Sequence, residues 1–146
     1  MRSVEEMSAV EEYWPVAMQN RDRAWLLAHT TETLVCIQPD GLLDRIGYID
    51  HRVEENDTII DGVNTVVRAE VIGDIGYTVN RGHFVAEDAA GRRREIRVLG
   101  SNVCRWEDDT WKVAVMHITE VPNNAADWAP LIELSAVLDT PDSPRA

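Results

Sequence analysis

Cysteine is scarce in this chain, basic residues are outnumbered, and no long apolar run occurs. Each shortage excludes something. The two cysteines, Cys36 and Cys104, fall inside apparent strands and not in a disulfide-dense frame, so two buried free thiols are expected. No CxxC or other close-spaced Cys/His pattern exists, so no metal is expected. No apolar stretch approaches the roughly 20 residues that span a bilayer. The opening residues, Met1-Arg2-Ser3-Val4-Glu5-Glu6, are acidic and lack the apolar core of a signal peptide, which makes a cytoplasmic protein the expectation. With 14 Lys and Arg against 26 Asp and Glu, the net charge is −12. Nucleic acid and anionic membrane are polyanions that need a basic patch, so neither is an expected partner. A small anionic ligand stays open, because one local arginine outweighs a distant field at short range.

What is present suits one folded domain: 146 residues, 45% hydrophobic and 27% charged. Val4, Met7, Val10, Trp14 and Met18 recur at helical spacing, with Glu5, Glu6 and Glu12 on the other sides. Ser3 with Glu6 forms a capping-box signature. Pro15 removes a helical hydrogen bond to the Glu11 carbonyl, so a bend is expected there. Asp22 is the candidate cap of a second short helix running to His29, and a third helix is expected from Asp44 to about Glu54. Between them Leu34 to Gln38 reads as a strand ending in the turn Pro39-Asp40-Gly41.

Beyond a second turn signal at Asp61-Gly62, the pattern changes to four long strand-like runs: Thr65 to Ile72, Ile75 to Val85, Glu95 to Trp106 and Trp111 to Val121. Short polar connectors between them mean hairpins and an antiparallel meander. Helices first and strands later give an α+β protein with helices on one face of a curved sheet. The domain is expected over residues 1–121. Residues 122–146 form a C-terminal extension, with one helix over 127–138 and a loose tail.

The last strand carries the most information. Alternation places Trp111, Val113, Val115, His117 and Thr119 on one face and Lys112, Ala114, Met116 and Ile118 on the other. An imidazole on a strand covered on both sides is either a satisfied core group or part of a cavity wall.

Two N-terminal helices ending in Asn20-Arg21-Asp22, a strand running into Pro39-Asp40-Gly41, a helix, and four long strands closing in Trp111…His117-x-Thr119 resemble the NTF2-like superfamily. The similarity extends to its SnoaL-like/DUF4440 branch and covers roughly residues 4 to 121. The resemblance implies a cone: N-terminal helices packed on a strongly curved, mostly antiparallel sheet with a pocket at the wide end. It also implies homodimerisation through the sheet, and, in catalytic members, acid–base side chains working in an apolar pocket without a cofactor. A shared fold does not carry a shared reaction.

Within that frame His117, His83, Tyr48 and Asn102 are the candidate catalytic residues. Trp14, Trp25, Arg97 and Asp40 are the candidate substrate-binding residues. Histidine titrates near neutrality, which suits proton transfer. Strand parity restricts the set. Arg97, Leu99, Ser101 and Val103 share one face, while Ile96, Val98, Gly100, Asn102 and Cys104 share the other, so Arg97 and Asn102 meet in one pocket only through a bulge. Tyr48 reads equally as a core tyrosine, and Asp40 as a turn residue. Two functions follow. One is a cofactor-independent isomerase, dehydratase or cyclase acting on a small, mostly apolar carbonyl compound. The other is a non-catalytic ligand-binding or assembly module.

Overall fold

The computed structural model describes residues 2–55 and 57–122. The helix expected over 127–138, with the rest of the C-terminal extension from 123, lies outside the described residues. The elements are α1 (Val4–Gln19), α2 (Arg23–Ala28), β1 (Thr30–Gln38), β2 (Gly41–Asp44), α3 (Arg45–Glu54), β3 (Thr58–Ile72), β4 (Ile75–Glu87), β5 (Arg93–Glu107) and β6 (Thr110–Val121). One six-stranded sheet runs in the order β2-β1-β6-β5-β4-β3. Among the described strands β1 and β6 pair in parallel and the other neighbours are antiparallel. The sheet is curved and does not close, and the helices cover its inner face.

Local chemistry sets the helix starts. Ser3 Oγ accepts the Glu6 N–H at 3.1 Å, Asp22 accepts the Trp25 N–H at 3.0 Å, and Asp44 accepts the Gly47 N–H at 2.8 Å. The helix α1 carries through Pro15 as one element to Gln19. The Glu11 carbonyl, which has no N–H at Pro15 to bond, accepts instead from Asn64 Nδ2 of β3 at 2.9 Å. That bond ties the middle of α1 to the sheet.

Two features of the strands depart from the sequence reading. Asp61-Gly62 is not a turn but part of β3, where the register with β4 shifts between Ile59 and Asp61. Gly62 is needed there because a Cβ would meet the Phe84 ring at 2.5 Å. The segment 41–44, which runs from the expected turn to the expected start of the third helix, pairs with β1 as the edge strand β2. The hairpin at Asp108-Asp109 has both residues at positive φ, 51° and 60°, which matches the right-handed twist of β5 and β6.

A bulge in β6 decides which residues face inward. Cys104 pairs with Val113 and Val103 with Val115, so Ala114 has no partner on β5. Trp111 and Val113 are therefore inside, and after the bulge Met116 and Ile118 take the inner face. The single alternation read across Trp111 to Thr119 is corrected: Val115, His117 and Thr119 lie on the outer face.

The main core gathers Met7, Trp14, Leu26, Leu34, Cys36, Tyr48, Ile49, Trp111 and Val113. A smaller cluster of Ile59, Phe84 and Ala86, with Met18, Ile96 and Val98 against it, forms toward the other end of the sheet. Both cysteines are free and buried. Among the described residues no helix is long and apolar enough to cross a membrane.

Candidate functional site

Between the two clusters the inner face of the sheet leaves an open cavity of about 110 Å³. Its walls are mostly apolar, with Met18, Ile59, Phe84, Ile96, Val98 and Ile118 among them. Into this setting project Glu11 and Trp14 from α1, Tyr48 and Arg52 from α3, and Asn64, Asn80 and Asn102 from the strands. The cavity approaches the roughly 150 Å³ of an engineered apolar cavity that holds benzene.

Glu11 is almost fully buried, 1% exposed. Asn102 Nδ2 donates to both of its oxygens at 2.7 Å. Thr78 Oγ1 donates to Oε1 at 3.1 Å, Asn80 Nδ2 to Oε2 at 3.4 Å, and the Cys104 thiol lies 3.7 Å from Oε1. These donors come from alternate positions of β4 and β5, which one sheet face brings together. Burial pushes the Glu11 carboxyl above the ordinary carboxylate range, and the donations from Asn102, Thr78 and Cys104 pull it part of the way back. A carboxylate has about four lone-pair sites. Five donor contacts fill them.

Tyr48, 1% exposed, accepts the indole N–H of Trp14 at 2.8 Å. Its own hydroxyl proton remains available for donation. Burial raises the phenol pKa, while the positive charge of Arg52 and the Trp14 N–H work against that rise. The Arg52 guanidinium carbon lies 5.4 Å from the Tyr48 ring centre, a cation–π contact. Nη2 of Arg52 donates to Gln38 Oε1 at 3.2 Å, and Nη1 stands 3.7 Å from Glu55. Arg52 Nε and Asn102 Oδ1 are both buried with no hydrogen-bond partner among the described residues. Arg21, held at φ 49°, donates to the Val53 and Glu55 carbonyls at 2.7 and 2.9 Å. It thereby secures the end of α3 that carries Arg52.

The structure brings together Tyr48, Asn102 and Trp14 of the residues singled out in the sequence. Trp25 backs the site without lining it, with its ring edge-on to Trp14 at 5.2 Å and stacked on His29 at 4.1 Å. The other four lie elsewhere. His83 is exposed on the outer face of β4, its Nε2 2.5 Å from Glu95. His117 is exposed on the outer face of β6. Arg97 is also on the outer face, donating to Glu95 at 3.3 Å, and Asp40 is exposed in the turn between β1 and β2. The naming of His83 and His117 as candidate catalytic residues of the pocket is therefore corrected: inner positions of β4 and β6 belong to Asn80, Phe84, Met116 and Ile118.

Glu11, Arg52, Asn64 and Asn80 were missed. Glu11 did carry a signal. It falls between Met7 and Trp14 on the apolar stripe of α1, where a charged residue must be paired or solvated. Among the described residues no group of three or more His, Cys, Asp or Glu side chains is placed to hold a metal ion.

No family model matches the chain, and no curated protein matches it. Solved structures do. A ketosteroid isomerase-like protein from Erwinia carotovora atroseptica superposes with a TM-score of 0.71 at 12% identity, covering 83% of this chain and 98% of that one. An NTF2-like protein of unknown function from Prochlorococcus marinus gives 0.71 at 20% identity over 85% and 97% of the two chains. A putative Ca/calmodulin-dependent kinase II association domain from Exiguobacterium sibiricum gives 0.69 at 13% identity over 85% and 98%. The chain has the NTF2-like fold.

Proposed function

We propose that this NTF2-like protein binds a small, mostly apolar molecule in the cavity framed by Glu11, Tyr48 and Arg52. One observation carries the reading: the side chains of Tyr48, Arg52 and Asn102 line one recess whose walls are mostly apolar. Such a recess supplies burial for a hydrophobic body and a few fixed points for orientation. The SnoaL-like branch rests on the Trp111…His117 spacing and belongs to the same proposal.

A second reading, a cofactor-independent isomerase, dehydratase or cyclase acting beside a carbonyl, is favoured by Glu11 itself. A carboxyl with a raised pKa beside a phenol donor is the pairing that proton abstraction next to a carbonyl requires. Against it stands the donor set: a base needs an open lone pair, and on Glu11 all are taken. Binding is therefore the leading reading and catalysis the second.

One experiment addresses both. Cyclohexanone and acetophenone are mixed with the protein in D2O, with saturation transfer reporting binding and loss of the α-proton signal reporting proton exchange. Binding that disappears in Val98→Trp, which fills the cavity, supports the proposal. Saturation transfer that is absent, or unchanged in Val98→Trp, overturns it. Exchange above the buffer rate that Glu11→Gln abolishes would move the catalytic reading to first place.

A further inference from the structure

We propose that the ligand of this cavity is a monocarboxylic acid, its carboxylate seated against Arg52 and Tyr48 and its chain or ring against the apolar wall. This rests on the reading that the cavity takes a small molecule, and it adds the chemical class.

Among the described residues that line the cavity, Arg52 is the one cation. Its donors are incompletely used. Nη2 meets Gln38, and Nη1 stands 3.7 Å from the Glu55 carboxylate, too far for a hydrogen bond. Nε is buried with no partner among the described residues. A buried N–H without an acceptor costs about 1–3 kcal/mol, and such an exception calls for a function. The cation is also held in place: the Tyr48 ring packs against the guanidinium, and Arg52 sits in the last turn of α3, where the helix dipole favours positive charge.

Tyr48 supplies the second contact. It accepts from Trp14, so its hydroxyl proton can be given to a ligand oxygen. An arginine edge and a phenol together offer two or three donors, which suits the two oxygens and single charge of a carboxylate. A phosphate brings three oxygens and up to two charges, and among the described residues no second cation lines the cavity to answer them. Glu11 does not compete for the seat: its oxygens are occupied by Asn102, Thr78, Asn80 and Cys104. The cavity of about 110 Å³ sets the body at roughly one ring or a short chain.

The test compares benzoate and hexanoate with their primary amides, which keep the shape and remove the charge. Binding is followed by calorimetry on the unaltered protein at pH 7. The expected result is at least tenfold tighter binding of each acid than of its amide. Arg52→Gln, shown by its melting curve to be folded, is expected to erase that difference and leave amide binding within about threefold. Equal affinity for acid and amide, or amides binding more tightly, overturns the carboxylate proposal and leaves the small-molecule reading standing. If none of the four compounds binds, and cyclohexanone and acetophenone give no signal either, both readings fall. If Arg52→Gln does not fold, the acid-against-amide ratio on the native protein still decides.

Discussion

Asn102 Nδ2 contacts both oxygens of Glu11 at 2.7 Å, so one strand amide holds a buried carboxylate that arrives on a helix. The pair joins α1 to the centre of the sheet and forms one side of the cavity. Replacing Asn102 with Leu keeps much of its shape but leaves the carboxylate short of its two shortest hydrogen bonds. A loss of about 2–4 kcal/mol is expected in urea unfolding at pH 7, since bonds to charged groups and their desolvation both count. A change below about 0.5 kcal/mol would mean that Thr78 and Asn80 hold Glu11 without it.

The raised Glu11 pKa makes stability depend on pH with a definite sign. Burial raises the value in the fold above the ordinary 4.5 of the unfolded chain. Between those two values the native state keeps a proton that the unfolded chain has released. Stability is therefore full below the unfolded value and falls as pH rises toward the native one. Glu55 is shifted in the same direction by burial, but it is present in both proteins of the comparison. Glu11→Gln should flatten the fall in melting temperature between pH 5 and pH 8. Parallel curves for the two proteins would show that Glu11 does not titrate in that window.

The architecture was legible because periodicity and turn chemistry agree along most of the chain. The capped helices, the long strands and the inward parity of Ile96 to Cys104 all follow from the order of residues. The histidines were misplaced because one unpaired residue, Ala114, inverts the alternation of β6, and no glycine or proline marks it. Asp61-Gly62 misled for a related reason: the glycine serves the approach of Phe84 and not a turn. Glu11 escaped notice because its partners are far away in sequence. Asn102 is 91 residues from Glu11, and only the fold brings them into contact.

Gly100 permits this contact network. It pairs with Asn80 across β4 and β5, and a Cβ at position 100 would collide with Asn80 Oδ1. Gly100→Ala should push the Asn80 side chain off Glu11 Oε2 and cost about 1–3 kcal/mol, the usual range for overpacking. Asn80→Ala combined with Gly100→Ala removes the collision. The double variant should therefore be more stable than the sum of the two single effects, and strict additivity would count against the clash.

Dimerisation through the sheet, implied by the resemblance, has a specific place to be tested. Val35, Val115 and Val103 lie side by side in register across β1, β6 and β5 on the outer face, 42%, 37% and 40% exposed. A short apolar row of this kind can meet its own copy about a twofold axis, since the same patch serves both partners. Light scattering should give twice the chain mass for the native protein and the single mass for Val115→Lys. A single mass for both would remove this face as a dimer surface.

The exposed histidines give the sharpest contrast with a histidine-driven proton shuttle. His83 meets Glu95 with about half of each side chain in solvent, and such surface pairs contribute little. His117 has no place in the cavity lining. His83→Ala and His117→Ala should each stay within about 0.5 kcal/mol of the native stability. Neither should change ligand affinity by more than about twofold, whereas Tyr48→Phe, which removes the phenol donor from the recess, should weaken an oxygen-bearing ligand about tenfold. A histidine variant that loses binding while keeping its melting temperature would restore the shuttle and displace the cavity framed by Glu11, Tyr48 and Arg52.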